Sequence, residues 1–176
     1  MNSLQRNFLD LASAQANKAN HPFPQMAACE AALESTWGNS QLAREANNLF
    51  GCKQHSHPVY GTMNLPTREW AVPPGDPHKI DGRWIVISAS WVKYPDWRAC
   101  FNDRLATLER LANAYPHYKA AIEAKDAHTY ITEVSKSWSS DPERGLKVEE
   151  IYQEYVAAPV PPAASPAPAA PPTDPA

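Results

Sequence analysis

The sequence predicts an α+β fold: a mainly helical body carrying a small β-hairpin lobe. Three observations support this. Apolar residues recur at helical spacing from Leu4 to Ala46, and again from Asp96 onward. Between Asn47 and Trp91 that period disappears, and prolines at 58, 66, 73, 74 and 77 break the backbone into short pieces. Helices, a small β region and helices again is the order of an α+β domain, not of alternating βα units.

Each element has a local cause. Leu4, Phe8, Leu11 and Ala12 form one stripe on a helix from Ser3 to about Ala19, with Ser3 as its cap. His21-Pro22-Phe23-Pro24 interrupts it, because proline blocks the hydrogen-bond ladder. Pro24 opens a second helix at its first turn. Gln25 to Thr36 is apolar around most of its circumference, which predicts burial, and its alanines let neighbours approach closely. Gly38 stands at the C-cap, and Asn39 or Ser40 caps a short third helix from Gln41 to about Ala46. Trp84-Ile85-Val86-Ile87 reads as a strand, Glu69 to Ala71 as its partner, and Pro73-Pro74-Gly75-Asp76-Pro77 as the turn. A stripe from Trp97 to Leu111 predicts a helix over Asp96 to about Ala112. Shorter helices are expected at Tyr118–Ala124, Ala127–Trp138 and Pro142–Val156.

Composition bounds the function. Of 176 residues, the last 20 hold eight prolines and eight alanines. Such a stretch has few donors and little surface to bury, so residues 157–176 are expected to form a disordered tail and residues 1–156 one domain. The body carries 16 basic and 18 acidic residues. That balance argues against nucleic-acid binding, which needs a dense cationic face. A mean hydropathy of −0.52 without a long apolar run argues against a membrane span. Three cysteines without a CxxC exclude a complete disulfide framework, though one disulfide and a free thiol remain open. The N-terminus leads into an amphipathic pattern, with no secretory signal.

Glu34 is the first candidate for chemistry. It lies in the last turn of an otherwise apolar helix, where the helix dipole opposes ionising a carboxylate. Apolar neighbours and Trp37 act in the same direction, predicting a carboxyl protonated near neutral pH, as a general acid requires. The rival reading is a solvated helix-end glutamate. Most glycoside hydrolysis needs a second acid, and Glu69 beside Arg68 is a candidate; on spacing alone a surface carboxylate is the stronger reading. Trp37, Phe50, Trp70 and Tyr94 are among the aromatics in the non-helical parts, where exposed rings can stack on sugar faces. His55, His57 and His78 lack the partners of a metal motif, so no metal or cofactor is expected. Cys52 near those histidines is better read as a buried hydrophobe than as a nucleophile.

The motifs together are familiar. Ala31-Ala32-Leu33-Glu34-Ser35-Thr36-Trp37-Gly38-Asn39-Ser40-Gln41-Leu42-Ala43 resembles the ALES-x-WG-x-S-x-LA signature of the glucosaminidase family of peptidoglycan hydrolases, glycoside hydrolase family 73. Asn47-Asn48-Leu49-Phe50-Gly51-Cys52-Lys53 resembles its NNLFG-x-K motif, and Thr67-Arg68-Glu69 its T-x-E. Trp91 to Trp97 and Ser137 to Pro142 resemble its later F-R-x-Y-x-S and G-Y-A-T-D-P blocks more loosely. The likeness covers roughly residues 3 to 155.

The resemblance implies a lysozyme-like fold with the hairpin lobe flanking the cleft. It implies hydrolysis of the β-1,4 bond between N-acetylglucosamine and N-acetylmuramic acid. Glu34 would be the general acid and Glu69 the second carboxylate; Trp37, Asn47, Asn48, Phe50, Trp70, Tyr94 and Trp138 would bind the glycan. Trp138 stands where the family usually has Tyr, so any step that needs a phenol hydroxyl would fall to another residue such as Tyr130 or Tyr94. A lytic transglycosylase or muramidase, or a binding module without turnover, is the alternative. The expected partner is peptidoglycan glycan strands, met by a monomer at the bacterial cell wall, in the periplasm or outside the cell. With no signal in view, the route there is an endolysin-like phage release or export of a longer protein.

Overall fold

The computed structural model describes residues 1–54, 59–71, 83–139 and 141–157, with the backbone alone for residues 68–71. It contains helices α1 (Ser3–Lys18), α2 (Pro24–Ser35) and α3 (Gln41–Ala46), then strands β1 (Gly61–Ala71) and β2 (Arg83–Lys93). Helices α4 (Trp97–Leu111), α5 (Pro116–Ile122), α6 (Ala127–Trp138) and α7 (Arg144–Ala157) follow. This is the expected α+β order. The turn at residues 73–77, His55, His57, His78 and the tail from residue 158 lie outside the described residues.

Local chemistry explains the helix ends. Asn2 rather than Ser3 caps α1: its side chain accepts from the Gln5 N–H at 2.9 Å, and the Gln5 side chain accepts from the Asn2 N–H at 3.0 Å. That reciprocal pair satisfies two donors that the first turn leaves orphaned. Ser40 caps α3, Asp96 caps α4 and Asp126 caps α6, each through its side-chain oxygen. Pro24 and Pro116 open α2 and α5, where a missing N–H costs nothing. The last helix starts at Arg144, two residues later than expected, because the chain first closes a turn from the Asp141 carbonyl to the Arg144 N–H.

Helix α2 is the axis of the body. Ala27, Ala28, Ala31 and Ala32 are all buried, and their small side chains let α1 and α7 pack directly against it. Leu9, Met26, Leu49, Phe101, Leu108, Ile131, Val134 and Val148 fill the space around them in one continuous core. Burying a side chain of that size stabilises by about 1.5–3 kcal/mol. The three cysteines are free and buried within it. Burial pushes the Cys52 thiol up to about 11, so it stays protonated and does not serve as a nucleophile.

The hairpin is longer than the sequence suggested. Strands β1 and β2 pair antiparallel from Gly61 with Lys93 to Ala71 with Arg83. Pro66 is tolerated because a two-stranded sheet leaves each strand an open edge. The base of the hairpin is tied to the body by Asn48. Its side-chain amide donates to the carbonyls of Cys52 and Val92 at 2.9 Å and accepts from the Cys52 N–H at 3.0 Å. The Tyr94 N–H adds a bond to the Ala46 carbonyl.

Candidate active site

The chain reverses sharply after α2, and that reversal presents Glu34. Thr36, Trp37 and Gly38 have φ of 53°, 57° and 75°, three consecutive left-handed residues. Left-handed backbone at non-glycine positions costs about 1–3 kcal/mol each and persists only where surroundings enforce it. Here buried Ser35 enforces it: its hydroxyl donates to the Ala31 carbonyl at 2.6 Å and accepts from the Gly38 N–H at 2.8 Å. Gly38 sits so close to the Phe8 ring that a Cβ there would lie 2.8 Å from it.

Glu34 itself is one quarter exposed. Its Oε1 accepts from Arg144 Nε at 2.7 Å, and Oε2 has no hydrogen-bond partner among the described residues. The apolar wall expected around this carboxylate is therefore corrected: its immediate neighbour is a guanidinium. Arg144 is almost wholly buried and uses its other nitrogens as well. One donates to Ser135 Oγ at 2.9 Å and one to Glu30 Oε1 at 2.7 Å. Glu30 has no exposed surface; it also accepts from Arg104 at 2.6 Å and from the Tyr130 hydroxyl at 3.2 Å. Burial opposes ionising Glu30, but Arg104 and Arg144 outweigh it and hold the carboxyl at about 2. The cluster thus sets the two carboxyl groups of Glu30 and Glu34 against the two guanidinium groups of Arg104 and Arg144.

The ring of Trp138 stacks on one member of this cluster, with the Arg104 guanidinium 3.4 Å from its centroid. Trp138 is partly buried, and Trp37, edge-on to Phe8 at 6.3 Å, is partly exposed beside the turn. Either ring has surface left to offer a glycan. Glu69 pairs with Ile85 in the hairpin backbone; the side chains of Glu69 and Trp70 lie outside the described residues.

Four expected glycan contacts have other employment. Asn48, Phe50 and Tyr94 are buried. The Asn48 amide is consumed at the hairpin base, Phe50 packs edge-on to Phe101, and the Tyr94 hydroxyl donates to Asp103 at 2.5 Å. Asn47 takes the left-handed C-cap of α3, and its amide donates to the Tyr94 and Pro95 carbonyls. The described contacts of these four residues are with the protein's own backbone carbonyls, a ring and a carboxylate. Tyr130 and Tyr94 are likewise unavailable in place of the missing phenol, since each hydroxyl is buried on an acid. A concavity of about 600 Å³ between α6 and α7 is lined by Ile131, Ser135 and Leu146 among others and does not include Glu34.

Residues 10–157 match the family described as Glucosaminidase: Mannosyl-glycoprotein endo-beta-N-acetylglucosaminidase. The chain belongs to the glucosaminidase family. It is a glycoside hydrolase domain, as the resemblance implied. It is 29% identical over 156 residues to the exo-glucosaminidase LytG of Bacillus subtilis, covering 86% of this chain and 51% of that protein. It is 26% identical to a probable N-acetylmuramidase of Lactococcus lactis subsp. cremoris, covering 78% of this chain and 30% of that protein. The chain therefore spans about half, or less, of these curated relatives. The catalytic domain of the autolysin Auto from Listeria monocytogenes superimposes with a TM-score of 0.71 at 24% identity, covering 89% of this chain and 86% of that one. A truncated glycoside hydrolase domain of Salmonella typhimurium FlgJ gives 0.66 at 24%, covering 88% and 99%. The lysozyme-like glucosaminidase fold with a hairpin lobe is thus shown.

Reading the glucosaminidase sequence for chemistry missed Glu30, Arg104 and Arg144. A signal was present. Glu30 interrupts an apolar helix four residues before Glu34, and Arg104 falls on the buried stripe with Cys100, Phe101 and Leu108. Charges at core positions require partners of opposite sign.

Proposed function

We propose that this domain hydrolyses the β-1,4 bond between N-acetylglucosamine and N-acetylmuramic acid in peptidoglycan, working as a monomer at the bacterial cell wall. The observation that carries this is the placement of Glu34: three-quarters sheltered at the end of α2, with one oxygen held and the other without a hydrogen bond among the described residues, in a glucosaminidase domain. Glu34 gives its proton from Oε2 to the glycosidic oxygen. The C1–O bond breaks with its electron pair going to that oxygen, and water adds to C1. Glu69, on the hairpin, takes the water's proton or steadies the oxocarbenium-like state. Trp37, Trp70 and Trp138 offer ring faces to the glycan.

The test is a digest of purified peptidoglycan by wild type and Glu34→Gln, followed by borohydride reduction and mass spectrometry. Reduced N-acetylglucosamine ends that vanish with Glu34→Gln are expected. Wild-type digestion by the variant would remove Glu34 from the mechanism. Reduced N-acetylmuramic acid ends would make the domain a muramidase, the activity named for the Lactococcus relative. Anhydro ends would make it a transglycosylase.

A further inference from the structure

We infer that Arg144 is a positioning residue for Glu34, held in place by the buried acid Glu30. This rests on the reading of Glu34 as the proton donor, and it assigns work to a residue that contacts no substrate. The geometry is a three-point clamp. Arg144 is 1% exposed, and three of its nitrogens are committed to three acceptors on two different helices. Ser135 on α6 and Glu30 on α2 fix the plane of the guanidinium. That plane then fixes the Glu34 carboxylate, one turn further along α2. Glu30 and Glu34 are four residues apart on one helix, so negative charge that develops on Glu34 would meet that of Glu30 without a cation between them. Arg144 bridges them, and Arg104 supplies the second positive charge that lets Glu30 remain ionised beneath.

The consequence is chemical as well as geometric. With Oε1 bound to Arg144, Oε2 is the oxygen left to carry the proton toward the glycosidic oxygen. As that proton leaves, negative charge grows on a carboxylate already facing a buried cation. An interaction that strengthens along the reaction lowers the barrier rather than merely tightening binding. Lysine at this position would keep the charge but lacks the planar fork that spans two carboxylates and a hydroxyl.

The test is kinetic, on soluble peptidoglycan oligomers, with Arg144→Met, Arg144→Lys and Ser135→Ala beside Glu34→Gln. A misplaced reacting group costs about 100-fold, so kcat of Arg144→Met is expected to fall by about that factor with KM within about twofold. Added guanidinium should restore Arg144→Met by about tenfold, since it returns the missing cation to its cavity, and Arg144→Lys should fall between. An Arg144→Met protein with wild-type kcat overturns the assignment. So does a loss that follows melting temperature and is recovered by neither guanidinium nor lysine. If Arg144→Met does not fold, Ser135→Ala decides: it removes one anchor and keeps the charge, so kcat should drop severalfold at constant KM, and an unchanged kcat overturns the proposal. An active Glu34→Gln would instead overturn the reading of Glu34.

Discussion

His21 is where residue-scale physics yields a pH dependence. It is buried, with Nε2 3.3 Å from the Tyr130 hydroxyl that in turn donates to Glu30. Burial pushes its imidazole down from 6.5 to about 4; Glu30 pulls it back and Arg104 adds to the descent. Between those values the unfolded chain binds a proton that the folded chain refuses, so stability falls as pH is lowered from 6.5 toward 4. The full effect is at most about 3 kcal/mol. Glu30 acts in a lower window: its depressed carboxyl contributes stability that is lost as pH falls from 4.5 toward 2. Thermal melts at pH 7, 6, 5 and 4 should show a decline in wild type that flattens in His21→Gln. An identical decline in both proteins would place the titration elsewhere.

At the scale of elements, the turn after α2 joins a signature motif to a mechanical requirement. The Ser and Gly of the ALES-x-WG block are legible in structural terms: Ser35 ties the reversal from inside, and Gly38 occupies φ of 75° against the Phe8 ring. Gly38→Ala adds both backbone strain and a clash in a buried contact, so a loss of about 2 kcal/mol or more is expected. Denaturant unfolding measures it directly, and a loss below about 0.5 kcal/mol would mean that the turn relaxes freely. The hairpin base follows the same logic. Both asparagines of the NNLFG block are spent on backbone groups, one at a left-handed cap and one inside the core. Family motifs here record folding constraints.

On the scale of the whole molecule, the seven described helices and the hairpin form the unit that matches the glucosaminidase family, with α7 ending at Ala157. The proline- and alanine-rich residues that follow carry one charge, Asp174, and have little to add to a core. Truncation after Ala157 should leave the melting temperature within about 1 °C and the digestion of peptidoglycan unchanged. At this chain length each kcal/mol moves the melting temperature by about 2–4 °C. A fall of 5 °C or more would show that the tail packs on the body, and the division into domain and tail would fail.

Helix α6 was legible to the residue, Ala127 to Trp138, because an aspartate cap and an apolar stripe act within a few positions of one another. Helices α1 to α4 were legible to within about a residue at each end, and so were the placement of Glu34 at a helix end and the existence of the hairpin. The surroundings of Glu34 were not legible. Arg144 lies 110 residues from Glu34 and 114 from Glu30, and Arg104 lies 74 from Glu30. Composition and period carry no memory of such distances; only the packing of α4, α6 and α7 around α2 brings these charges together. Periodic patterns and caps are properties of a segment, so one chain suffices to read them. The partner of a buried charge is a property of the assembled core, and it exists only once that core has closed.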